Sequence, residues 1–220
     1  MKKLTVTSIF KQRLPVILTV LAVMLLLAFM PGRIRLLPIW GICGIAIAIL
    51  LPMVAVGIAA NKTRWFRIEH AVTIFFCLLG GAGNVVNLIV LLKAMLLRPI
   101  DITGPQLFAS SIGVWTANVL VFTLLYWQID RGGPQARLEK KPVKPDWHFP
   151  QQDLSSEMPV DWRPAFIDYL FMGFSTATAF SMTEATPLTP RAKILMMIES
   201  TVSLITIVVV GARAINILGS

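Results

Sequence analysis

Five stretches of this chain are each long and apolar enough to cross a bilayer, and that pattern limits its fold more than any other feature. Leu14–Gly32, Leu36–Asn61, Ala71–Leu92 and Ile102–Ile129 hold no charged side chain, and Ile194–Leu218 holds only Glu199 and Arg213. A helix needs about 20 apolar residues to cross the hydrocarbon core, and inside lipid a backbone must satisfy its own hydrogen bonds. Runs of this length therefore read as transmembrane helices. A sixth run, Tyr169–Thr183, has only 15 uncharged residues. It either reaches across by adding Phe166 and Ile167 beyond Asp168, or dips into the membrane and returns. The expected fold is an all-α, polytopic helical membrane protein of about six apolar segments, the fifth short and open to a re-entrant path.

Composition agrees. Hydrophobic residues make up 56% of the 220 and charged residues 14%, with a mean hydropathy of +0.75. A soluble domain holds about 45–50% apolar and about 25% charged residues, so lipid must cover the excess. A net charge of +9 would suggest nucleic acid for a soluble chain. Here the basic residues lie mostly between apolar runs, where they orient the protein and meet anionic headgroups. The expected partner is the lipid bilayer and not nucleic acid.

Chemistry is sparse. Cys43 and Cys77 lie inside apolar runs with no CxxC or Cys/His cluster, which gives no disulfide scaffold, metal site or haem attachment to expect. His70 stands at the edge of a run and His148 in a loop, so neither a buried Ser–His pair nor a metal triad can be assembled. No nucleotide-binding glycine fingerprint occurs. The chain is expected to be no enzyme, with no catalytic residues and no cofactor.

Three regions follow: a four-span membrane bundle over 1–130, a Pro-rich charged extramembrane loop over 131–163, and a C-terminal membrane hairpin over 164–220. The third apolar run is centred on Gly80-Gly81-Ala82-Gly83-Asn84 with Asn87 three residues on. Small residues let a second backbone approach, and two amides three apart share a helix face, so Gly80, Gly83, Asn84 and Asn87 are candidates for helix packing. Pro105 suits the first turn of the fourth helix. On six spans, thirteen Lys and Arg would share the side of the N-terminus, Lys62–Arg67 and the 131–163 loop, against six at 33–35, 93–98 and 191–193. The richer side is cytoplasmic, so the N-terminus is expected inside a bacterial inner (plasma) membrane in a multi-pass arrangement. Five spans would leave the N-terminus in place and move the C-terminus across.

Polar groups at membrane depth gather in the C-terminal hairpin. Glu199 lies about five residues into the last apolar run, and a charge at mid-bilayer costs roughly 2.5–3.5 kcal/mol on insertion scales, so it marks a candidate site. Thr176, Thr178, Ser181, Thr183, Glu184, Glu199 and Ser203 form a candidate pore or polar path. The alternative for such hydroxyls is bonding back to helix carbonyls.

Residues Thr176 to Thr189, TATAFSMTEATPLT, resemble the pore signature of potassium channels, T-x-T-T-x-G-Y-G-D followed three residues later by Pro and then x-Thr. Thr176, Thr178, Pro187 and Thr189 match without a gap, and Glu184 stands at the Asp. Ser181-Met182-Thr183 replace Gly-Tyr-Gly, the glycines whose carbonyls face the ion, so a potassium filter is not expected. The W-x-x-D-R-G-G-P junction (Trp127, Asp130 to Pro134), Phe149 to Gln151, the hairpin itself and Arg213 to Leu218 are similar to an uncharacterised family of bacterial membrane proteins. That resemblance implies an inner-membrane location and no activity. The expectation is a channel-like or permeation-related homo-oligomer acting on a small ion or solute. A membrane scaffold or accessory subunit is the alternative, and a small secondary transporter the third.

Overall fold

The computed structural model describes residues 6–29, 38, 40, 41, 43–45, 47, 48, 50, 51, 62–97, 104–138, 142–153, 162–178 and 185–218. Among the described residues the secondary structure is helical apart from one two-residue ladder. Long helices cover Val6–Phe29 (α1), Lys62–Leu97 (α2) and Gly104–Ile129 (α3). A 3-10 turn at Asp130–Gly132 leads into the short α4 (Gly133–Leu138), and Trp147–His148 forms β1. Then come α5 (Phe166–Thr178), β2 (Thr186–Pro187) and α6 (Pro190–Leu218). Between α1 and α2 the described residues from Trp40 to Leu51 are helical.

Three of these segments are long and apolar enough to cross a membrane: Trp65–Lys93, Phe108–Arg137 and Pro190–Val209. They coincide with the third, fourth and last apolar runs. Arg13–Phe29 is a shorter apolar helical stretch.

Local chemistry accounts for the helix starts. Pro105 occupies the first turn of α3, where a missing N–H is harmless. Pro190 opens α6 in the same way, and Thr189 caps it by accepting the Ala192 N–H at 3.3 Å. The carboxylate of Asp168 reaches back to the Ala165 N–H at 2.6 Å, fixing the start of α5. After α3 the chain reverses through Arg131 (φ 52°), Gly132 (74°) and Gly133 (91°). A Cβ on Gly133 would lie 2.7 Å from the His70 ring and 2.8 Å from the Gln128 carbonyl, so only glycine fits there.

Helix directions decide how the site is built. Arg13 of α1 pairs with Glu69 of α2 at 2.6 Å, and His70 of α2 meets Gln128 of α3 at 3.1 Å. Thus α1 and α2 begin at the face where α3 ends. Along α5, Tyr169 bonds Asp130 at the end of α3 while Phe174 packs on Trp115, 5.8 Å between rings. Along α6, Arg191 sits on Asp146, while Ser203 meets Asn118 deep in α3. Both helices run antiparallel to α3, so α5 and α6 run parallel to each other. By Thr186 the chain is again beside His148, paired in the β1–β2 ladder.

Candidate functional site

Two polar centres organise the C-terminal half. The first lies at the shared face and is built by the segment after α3, the Pro-rich charged loop. Several of its described residues are buried. Asp130 is fully enclosed, and its carboxylate accepts the Tyr169 hydroxyl at 2.5 Å and the Asp146 N–H at 2.8 Å. Arg137 donates to the Asp130 carbonyl at 2.8 Å and lies 4.0 Å over the Trp127 ring. Asp146, also enclosed, takes two bonds from Arg191 (2.6 and 2.7 Å) and one from Thr189 (2.6 Å), while its carbonyl accepts the Leu188 N–H at 2.8 Å.

Aromatic rings seal this knot. Trp147 packs on Tyr126 at 4.8 Å, and Tyr169 packs on both Trp127 (5.4 Å) and Phe149 (5.3 Å). One short segment therefore ties down the starts of both α5 and α6.

The second centre lies deeper. Because α6 starts at Pro190, four residues before its apolar run, Glu199 is ten residues in and about 14 Å along the helix, at 1.5 Å per residue. Glu199 is fully buried, and its Oε2 accepts the Tyr126 hydroxyl at 2.5 Å. Asn118, eight residues earlier on α3, donates to the Glu199 carbonyl at 3.1 Å and to Ser203 Oγ at 2.9 Å. Ser200 donates to the Thr176 carbonyl at 3.0 Å, which links α6 to α5.

Gly173 lets α5 close on this centre. A Cβ there would lie 2.5 Å from Thr123 Oγ1 and 3.4 Å from Glu199 Oε1. Among the described residues, neither of those oxygens has a hydrogen-bond partner, and neither does Thr176 Oγ1. Thr178 bonds back to the Ser175 carbonyl at 3.0 Å. Of the polar-path candidates, Thr176, Glu199 and Ser203 thus meet in one buried cluster, and Thr178 lies two residues further along α5. Ser181, Thr183 and Glu184 lie outside the described residues.

The four helix-packing candidates on α2, Gly80, Gly83, Asn84 and Asn87, all line a cavity between α1, α2 and α3 that Ile45 also borders. Gly80 sits where α2 meets α3, and an added Cβ there would lie 3.2 Å from Val121. Sequence reading missed Tyr126, Asp130, Asp146 and Arg191. One signal for Tyr126 was present: it stands eight residues from Asn118, on the same face of the helix.

No protein-family model, curated protein or solved structure matches this chain.

Proposed function

We propose that the chain is a channel-like inner-membrane protein with five spans, in which α5 is a re-entrant half-helix forming the pore-proximal element of a homo-oligomer. One observation carries this reading: consecutive helices α5 and α6 run parallel, so the chain must return to its starting face between Thr178 and Thr186. Non-helical backbone at membrane depth is tolerated only where protein buries it or where it lines a water-filled cavity. A half-helix that ends at Thr178 points its negative dipole end at such a place, which suits a small cation. The resemblance of Thr176–Thr189 to a pore region supports the same architecture, without potassium selectivity. In this reading Glu199 does not line the path; with Tyr126 it braces the half-helix from behind.

Charge supports the five-span topology. Moving Arg191 and Lys193 to the face of the N-terminus puts fifteen of the twenty Lys and Arg there, and that face is cytoplasmic. The half-helix then enters from the cytoplasm.

Topology is tested with single cysteines at Lys144 and Leu188 in a Cys43→Ala, Cys77→Ala background. An impermeant thiol reagent should reach both from the same side; labelling from opposite sides restores six spans and removes the half-helix. Activity is tested in proteoliposomes, where cation flux should exceed that of empty vesicles and change in Thr178→Val at equal insertion. The closed Asn118–Glu199–Ser203 cluster favours a second reading, a non-conducting scaffold or accessory subunit. Absence of potassium, sodium and proton flux would establish it.

A further inference from the structure

We infer that the cavity between α1, α2 and α3 is a binding site for a neutral amphiphile: an apolar body with an uncharged head that both accepts and donates a hydrogen bond. The cavity measures about 430 Å³, within the range of small-ligand pockets. Its described walls are almost wholly apolar, including Val20, Met24, Phe76 and Leu124, and no charged side chain lines it. A charged ligand would find no counter-ion there.

Two amides break the apolar lining. Asn84 is 3% exposed and Asn87 4%, and both line the cavity. Among the described residues, Asn84 Nδ2 and Asn87 Oδ1 have no hydrogen-bond partner. A buried unpaired amide costs about 1–3 kcal/mol, so a donor and an acceptor held side by side and unused are the mark of a head group that fits them. The two threonines of the lining do not compete, because Thr19 and Thr73 donate to the carbonyls of Pro15 and Glu69, at 2.8 Å each.

The way in is from lipid. Leu79, one of the lining residues, is 48% exposed on the apolar flank of α2. Gly83 makes the room: among the described residues nothing lies within 4 Å of a Cβ built on it. This inference does not rest on the pore reading, since the cavity lies on the opposite side of α3 from Glu199.

Cys77 is buried in the same wall and serves as the reporter. Cys43→Ala protein in nanodiscs is treated with N-phenylmaleimide, and labelling of Cys77 is followed with 1-dodecanol or dodecane added. Two neutral hydrogen bonds should let dodecanol protect Cys77 at a roughly tenfold lower concentration than dodecane. Gly83→Leu, which fills the space, should abolish protection by both. Equal protection by the two probes reduces the site to an apolar void and overturns the inference, as does no protection at all. Dioleoylglycerol and decylubiquinol then separate the two sources of such a head, a neutral lipid or a quinol. The site belongs to the one that protects at the lower concentration.

Discussion

α3 presents two faces to the rest of the protein, and they are built differently. Toward α5 and α6 it is polar and closely packed: Asn118 and Tyr126 bond Glu199 and Ser203, and Gly173 lets α5 close in, while Thr123 Oγ1, Thr176 Oγ1 and Glu199 Oε1 have no partner among the described residues. Toward α1 and α2 it borders a cavity in which Asn84 and Asn87 each leave one group unmatched. In lipid no hydrophobic force separates helices from solvent, so packing and interhelical hydrogen bonds decide what stays together. The filled side has both and reads as the rigid half. The hollow side has given up contacts, which makes sense where something else is meant to enter.

The largest test of this contrast puts leucine in place of a buried polar residue on each side. Glu199→Leu strands the Tyr126 hydroxyl and removes the group that positions it, and should cost about 2–4 kcal/mol. Asn87→Leu removes an unmatched amide and fills empty space, so the ligand-free protein should gain about 1 kcal/mol. Unfolding in mixed detergent micelles reads both. Equal losses would mean that the two sides do not differ. A gain at Asn87 together with lost dodecanol protection would be the familiar exchange of binding for stability.

A smaller effect is expected at Gly173. Alanine there brings its Cβ to 2.5 Å from Thr123 Oγ1, closer than real contacts allow, so the Thr123 side chain must turn or α5 must move off α3. Such overpacking costs about 1–3 kcal/mol. Gly173→Ala should also alter any cation flux, because Thr176 and Thr178 move with the helix. Unchanged flux at reduced stability would favour the scaffold reading over the channel-like one.

How much of this arrangement was legible in the sequence follows from the range of each interaction. The helix start at Pro105 depends on neighbours a few residues away, and the apolar runs depend on composition alone. Both could be read. The β1–β2 ladder joins residues about forty positions apart through segments rich in proline and charge, and no local pattern announces it. The same holds for Asp146 with Arg191 and for Asp130 with Tyr169: each side chain alone looks like an interfacial charge or ring. Glu199 was visible as an anomaly, but its depth was not, because a helix that begins at the polar Pro190-Arg191 turn extends past the apolar boundary. Direction was hidden too. Charge alone does not separate five spans from six, and no local pattern puts Arg191 on the face of Asp146.

The smallest test compares two glycines on α2, three residues apart. Gly80 abuts Val121, where a Cβ would sit at 3.2–3.3 Å and the valine must yield by a few tenths of an ångström. Gly83 lines the same cavity as Gly80, but among the described residues nothing lies within 4 Å of a Cβ built on it. In soluble helices alanine is favoured over glycine by about 0.8–1.0 kcal/mol through chain entropy. At Gly83 nothing opposes that gain, so Gly83→Ala should stabilise the protein by up to about 1 kcal/mol. At Gly80 the strain against Val121 offsets it, and Gly80→Ala should be neutral or slightly destabilising. The pairing cancels propensity, leaving the difference between a filled and a hollow contact as what the two melting curves report. If Gly83→Ala is no more stable than Gly80→Ala, the space beside Gly83 is closed, and the cavity reading fails with it.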